Sequence, residues 1–349
     1  MSKKKIIISV VIVALLVTGV LFFVFRTPKE RKLQISASEL KEAKKQVQLN
    51  ILRYDQDVFK VNPEHFAQGI SMLSQKYPPF LIDPQLFSDT LFVTKFLDYL
   101  KDPKIIDLYN VTQKKYGNFE PYENSFKEAF AHYLVYFPKE SVPKIITLIT
   151  GLDFQTPSVY IYDQHVILNL DHYLGKNFSK YNQLGVPKYI SERMDSTYLE
   201  VDLFKKAIVY KHLPDQTPTN VMESMIIEGK KLYFTEMMLP QKSLKDIIGY
   251  SEEKFQWAEK FYPNVWTYMI ENNLLFSQEE SVYRNYIQES PFTKPFGNVS
   301  PGRFGQFLGW KIVKAYMDNN PNITLEQLMQ TTDLQMILNK SAFKPVVKK

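Results

Sequence analysis

The sequence predicts an α+β protein, mainly helical with one small inserted sheet or hairpin, carried behind a single N-terminal transmembrane helix. Three observations predict it: a twenty-residue apolar run near the start, apolar clusters recurring at helical spacing over most of the chain, and a segment from about Ile145 that is rich in β-branched and aromatic residues.

The apolar run, IIISVVIVALLVTGVLFFVF from Ile6 to Phe25, is interrupted only by Ser9, Thr18 and Gly19. At about 1.5 Å rise per residue it crosses a hydrocarbon core of about 30 Å. A cleaved secretory signal is shorter and ends in small residues, whereas Leu21, Phe22, Phe23, Val24 and Phe25 carry this run up to Arg26. The expectation is therefore a signal anchor. Residues 1–5 form a cytoplasmic tail, 6–25 cross the inner (cytoplasmic) membrane, 26–49 form a linker or stalk, and 50–349 form an extracytoplasmic domain. The short basic leader, with Lys3, Lys4 and Lys5, favours an inside N-terminus and a periplasmic domain, although Arg26, Lys29, Arg31 and Lys32 partly balance it.

Net charge is +6, which by itself suggests an anionic partner. Its location removes that reading. Residues 1–32 hold seven basic groups and one acidic group, Glu30, and the rest of the chain is balanced, so the folded surface lacks the excess that a nucleic-acid binder needs. No cysteine is present, which excludes disulfides, thiolate metal sites and a lipid-modified N-terminal cysteine. With 25 Phe and 22 Tyr against 12 Gly, the interior is expected to be aromatic and ordered.

Beyond the anchor, SASELKEAKKQVQLNILRYDQDVFK reads as a helical stalk starting at Ser38 and Glu39. From Asn62 to Leu148, clusters such as LFVTKFLDYL and FKEAFAHYLVYF indicate packed helices, separated by Pro78-Pro79, Pro84, Pro103 and Pro121. IITLITG and SVYIYDQHVILNLD then supply strands, with a turn at Asp163 and Gln164. Helical spacing returns from about Leu203, broken by Pro214, Pro218, Pro240, Pro263 and the loop SPFTKPFGNVSPG.

None of His65, His132, His165, His172 and His212 begins the His-Glu-x-x-His pattern that would place two imidazoles on one helix face for zinc. His165 and His172 are seven apart, and on one continuous strand that odd spacing puts them on opposite faces. A G-x-S-x-G nucleophile elbow and a phosphate-binding G-x-x-x-x-G-K-S/T loop are both absent. Glu252-Glu253 and Glu279-Glu280 read as solvated helix surface.

Two segments are less ordinary. In VMESMIIEGKKLYFTEMMLP, Met222, Met225, Ile226 and Gly229 form an apolar helical stripe beside Glu228, Lys230 and Lys231, followed by Tyr233; the stripe reads as core packing. In SPGRFGQFLGWKIVKAYM, Ser300 and Pro301 are expected to open a helix on which Gly302, Gly305 and Gly309 share one side next to Trp310. Glycine costs about 1 kcal/mol per helix position relative to alanine, so its recurrence implies a neighbouring backbone in close approach. Arg303 is unfavourable at the positive end of that helix, which predicts an acidic partner such as Glu228.

These two segments, with NILRYDQDVF (50–59), LNLDHYLGKNFSKY (168–181), IGYSEEKFQWAEKFYPNVWTYMIENNLLF (248–276) and SAFKP (341–345), resemble the GldB family of gliding-motility lipoproteins. The resemblance implies an envelope protein serving the gliding machinery and the associated type IX secretion system, with no established catalysis. One departure stands out: the family's acylated cysteine is missing, since Leu16-Val17-Thr18-Gly19 is followed by Val20, and a membrane helix would replace the lipid. The family is also similar to predicted zinc peptidases, which implies a degenerate zincin-like fold. Glu228-Gly229 matches their later E-G motif, but with His212 in the place of the second histidine, Ile208 and Val209 occupy the first His-Glu pair. Apolar side chains cannot bind zinc or activate water.

The expected function is an accessory or scaffold protein, free of cofactor and metal, that contacts other gliding and secretion envelope proteins through exposed aromatics and the groove between the two motif-bearing helices. The candidate interaction residues are Glu228, Gly229, Lys230, Lys231, Tyr233, Gly302, Arg303, Gly305, Gly309 and Trp310. The alternative is a peptidase-like envelope hydrolase with Glu228 as general base and Arg303 or His212 as the polarising group.

Overall fold

A computed structural model describes residues 35–83 and 85–347. The expected anchor, residues 6–25, and the chain preceding it lie outside the described residues. Among the described residues, no helix is long and apolar enough to cross a membrane.

Helices of six or more residues are labelled α1 (Ala37–Gln46), α2 (Phe66–Leu73), α3 (Thr90–Lys101), α4 (Pro103–Tyr116), α5 (Glu120–Tyr136), α6 (Leu199–Lys206), α7 (Val221–Met238), α8 (Glu252–Glu271), α9 (Glu280–Tyr286), α10 (Phe304–Asn319), α11 (Leu325–Gln330) and α12 (Leu334–Ser341). Among the described residues, four strands, β1 (Ile51–Leu52), β2 (Lys144–Leu148), β3 (Val159–Tyr162) and β4 (His165–Asn169), form one sheet in the order β1-β2-β4-β3. The α+β expectation holds, with helices dominating.

α1 is capped two residues before the expected start. Ser36 caps it, because only Ser36 has a glutamate three residues on: the Glu39 amide donates to the Ser36 hydroxyl at 3.2 Å, and the Ser36 amide donates to the Glu39 carboxylate at 2.9 Å. The segment expected as a stalk lies against α5, with Ala43 buried and Lys44 paired to Glu128.

The sheet is larger than a hairpin. β3 and β4 do pair antiparallel around Asp163 and Gln164, which take φ of 43° and 64°, the left-handed pair that suits a two-residue hairpin turn. β2 lies parallel to β4 on one side and to β1 on the other, so the segment NILRYDQDVF contributes a strand. Period-two alternation then splits the sheet between two cores. Ile145, Val166 and Leu168 face the large helical core, whereas Ile146, Leu148 and Ile167 face a smaller one built by Val58, Phe66, Ile70, Tyr77, Ile82 and Leu100. His165 and His172 do not share a strand, because β4 ends at Asn169 and His172 lies in the 3-10 turn Leu170–Tyr173.

Asp55 ties the start of the domain to the sheet. This buried carboxylate accepts from Arg53 at 2.9 and 2.8 Å, from Gln113 at 2.8 Å and from the Thr147 hydroxyl of β2 at 2.5 Å. Four donor atoms from three residues, Arg53, Gln113 and Thr147, converge on it.

α7 and α10 form the centre of the large core. A Cβ on Gly229 would lie 2.2 Å from the Gly309 carbonyl carbon, and one on Gly309 would lie 1.7 Å from the Met225 carbonyl oxygen. The two backbones therefore touch, as the recurring glycines imply. Met222, Met225 and Ile226 are buried, consistent with core packing.

Two local expectations are corrected. α10 opens at Phe304, not at Ser300 and Pro301. The Ser300 hydroxyl accepts from the Thr293 amide, the Thr293 hydroxyl donates to the Pro301 carbonyl, and Arg303 occupies the helix start in a left-handed conformation with φ 55°. Those side-chain bonds stabilise a folded loop in place of a first helical turn. Pro263 does not end a helix either, since α8 runs through it. The proline removes one backbone bond, but burial of Ala258, Val265, Trp266 and Met269 holds both sides in register.

Candidate functional site

The residues singled out in sequence do not assemble into one centre. Glu228 leaves α7 into a cleft of about 420 Å³ that Tyr210, Lys230, Lys231 and Tyr283 also line, and it pairs with Lys231 at 2.7 Å. Burial pushes Lys230 down to about 8, and its ammonium donates to the Thr331 carbonyl at 2.9 Å. Arg303 is buried elsewhere: it donates to the Ile248 carbonyl at 3.0 Å, pairs with Glu289 at 3.3 Å and lies over the Tyr250 ring. The expected Arg303–Glu228 pair is thus replaced by Arg303–Glu289. The acidic partner comes from the loop after α9, a contact that local sequence spacing does not indicate.

His212 sits in an aromatic nest. Its ring stacks on Phe137 at 4.0 Å, and Nε2 shares a hydrogen bond with the Tyr133 hydroxyl at 2.9 Å. Burial, opposed by Glu140, pushes the imidazole down to about 4, so it is neutral at pH 7. Ile208 and Val209, at the first His-Glu positions of the peptidase pattern, are fully buried. The zinc implied by the remote resemblance finds no fitting ligand set there.

The groove expected between the motif-bearing helices is closed. Gly229 and Gly309 are in backbone contact, and Tyr233 and Trp310 are buried, with the Trp310 indole donating to Glu236 at 2.7 Å. Gly302 and Gly305 are likewise packed, against the Ser290 carbonyl and against Ile287 with the Tyr286 carbonyl.

A second charged cavity lies elsewhere. Its volume is about 550 Å³, and it opens between α6, the Leu170–Tyr173 turn and the chain around residues 184–198. Asp202, Lys205 and Lys206 project from α6 at spacings of three and four, which places them along one helix face. Asp202 is buried; it pairs with Lys206 at 2.7 Å and accepts from the Tyr173 hydroxyl at 2.7 Å. Burial alone would raise its carboxyl, but Lys206 and Lys205 outweigh that and hold it below the usual range.

His172 reaches the same cavity because Asp171 fixes the turn before it. One Asp171 oxygen accepts from the Thr150 and Leu152 amides at 3.0 and 2.8 Å and from the Thr150 hydroxyl at 3.0 Å. Across the cavity, Arg193 forms a two-pronged pair with Glu289 at 3.0 and 2.7 Å, and Glu289 bridges it to Arg303. Burial tends to raise the Glu289 carboxyl, yet Arg303 and Arg193 hold it below the usual range.

Sequence reasoning missed Arg193, Asp202, Lys205 and Glu289. The spacing Asp202-x-x-Lys205-Lys206 was a usable signal for the α6 residues, whereas Arg193 and Glu289 are joined only by the fold.

No curated protein and no solved structure matches the chain. A family model described as gliding motility protein GldB matches residues 36–345, from the serine that caps α1 to beyond α12, and the chain therefore belongs to the GldB family of gliding motility proteins.

Proposed function

We propose that this protein is a membrane-anchored accessory or scaffold component of the gliding-motility and type IX secretion machinery. Residues 6–25 hold it in the inner membrane, and the folded domain acts by contact with other envelope proteins. The observation that carries this reading is the separate engagement of Glu228, Arg303 and His212. Each is committed to a different structural partner: Lys231, Glu289 with the Ile248 carbonyl, and Tyr133 with Phe137. A general base and a polarising group that act on one bond must converge within hydrogen-bond reach of it. Exposed aromatics such as Tyr162 and Tyr210 supply contact area suited to protein partners.

In-cell crosslinking and recovery of the full chain tests this directly. Other envelope proteins of the machinery are expected to be recovered with it, and a Glu228→Ala strain is expected to keep both its partners and its gliding. Loss of gliding at normal protein level with an unchanged partner set would assign chemistry to Glu228 and overturn the proposal.

A further inference from the structure

The cavity beside α6 has walls of two kinds. Phe154, Pro157, Leu184, Val186, Ile190 and Met194 make up its apolar lining. Its charged lining sets Arg193, Lys205 and Lys206 against Asp202 and Glu289, with Arg303 paired to Glu289, so the charged part carries a cationic excess. Its volume of about 550 Å³ falls within the range of small-ligand sites, roughly 300–1,000 Å³.

The cations are not equivalent. Arg193 is committed to Glu289, and Lys206 to Asp202 and the Ser158 hydroxyl. Lys205 donates to the Ile247 carbonyl at 2.7 Å, and an ammonium has three N–H donors, so two remain for the cavity that it lines.

We propose that this cavity binds an organic monocarboxylate with an apolar body, its carboxylate held by Lys205 and its body against Phe154, Leu184 and Ile190. A dianion such as inorganic phosphate would gain from the cations but meet repulsion from both Asp202 and Glu289. A cation would meet the net positive wall. A single negative charge on an apolar frame satisfies both sides, whether it is a free acid or the C-terminus of a peptide ending in an apolar residue.

The electrostatics of Lys205 agree. Burial, with Arg303, Lys206 and Arg193, pushes its ammonium down to about 7 against the opposing pull of Asp202. Glu289, His172, Tyr173 and Tyr198 complete the titratable groups that line the cavity; burial pushes both phenols up, so they stay neutral, and holds the imidazole below its ordinary value, hence neutral at pH 7. A bound carboxylate supplies the missing counter-charge and favours the protonated lysine. Affinity therefore falls as pH rises above about 7, by on the order of tenfold between pH 7 and 8.5.

The test is calorimetric titration of the full chain in phosphatidylcholine nanodiscs, with empty nanodiscs as the blank. The probes are 4-phenylbutyrate and N-acetyl-Leu-Phe free acid, each with its carboxamide counterpart. At least one acid is expected to bind, with its amide at least tenfold weaker; the tighter acid identifies a free carboxylate or a chain terminus as the source. Lys205→Met is expected to weaken binding at least tenfold. Lys205→Arg should retain binding and lose the decline above pH 7, a change that loss of packing alone would not produce. Leu184→Glu, at an exposed position on the apolar wall, guards against a Lys205→Met chain that fails to fold, and it too should weaken binding. Absence of binding by both acids, equal binding of acid and amide, or unchanged affinity in a folded Lys205→Met or Leu184→Glu chain would overturn the proposal.

Discussion

Replacing Gly309 by alanine tests the backbone contact at the centre of the fold. The added methyl would lie 1.7 Å from the Met225 carbonyl oxygen, and real Cβ contacts essentially never fall below 3.0 Å, so α7 and α10 must part by about 1.3 Å. A gap of about 0.5–1 Å already forfeits a quarter to a half of a dispersion contact. Met225, Ile226, Leu308 and Ile312 are all buried on these two helices, and loosening their packing costs about 3 kcal/mol, the upper end of the usual range for overpacking. Alanine returns about 1 kcal/mol of helix propensity. The net expectation is a loss of about 2 kcal/mol in urea unfolding of the full chain. Gly229→Ala strikes the same contact from the other side, with its Cβ 2.2 Å from the Gly309 carbonyl carbon, so the double variant should lose less than the two single losses added together. A neutral or stabilised Gly309→Ala chain would refute the close approach.

Three further outcomes follow from the ionisable groups. His212, pushed down to about 4 by burial, stays neutral in the fold while the unfolded imidazole protonates near 6.5, so stability falls as pH drops through that window; the loss at pH 5 is about 2 kcal/mol, and His212→Phe should flatten this limb of the urea-midpoint profile. Glu289 has a depressed carboxyl, so its contribution is present above the ordinary carboxylate range and lost at lower pH. Glu289→Gln should cost about 1–2 kcal/mol at pH 7, a value reduced because the side chain is 46% exposed, and a variant as stable as wild type would count against the Arg193–Glu289–Arg303 chain. Asp55→Ala leaves Arg53, Gln113 and Thr147 without their shared acceptor and should cost about 3–5 kcal/mol; amide exchange should then rise first in β1 and β2, and uniform exchange would argue against a local tie.

What could be read in sequence was governed by short-range physics. The stripe of Met222, Met225 and Ile226, the turn at Asp163 and Gln164, and the close approach signalled by Gly305 and Gly309 each depend on residues a few positions apart. Helix period, strand alternation and the cost of glycine act at that range. The misplaced features lie where distant groups compete with local preference: Ser300 bonds Thr293 instead of capping a helix, and core burial carries α8 through Pro263.

The sequence by itself determined the α+β class, the apolar segment near the start, the absence of thiol chemistry and the absence of a His-Glu-x-x-His pattern, because composition and spacing alone settle these. Only the tertiary structure decided that NILRYDQDVF joins the sheet through β1, that Arg303 pairs with Glu289 and not Glu228, and that Arg193, Asp202 and Lys205 share one cavity. Charges far apart along the chain meet only after the helices pack, and desolvation there, not residue type, shifts Lys205 far from an ordinary lysine.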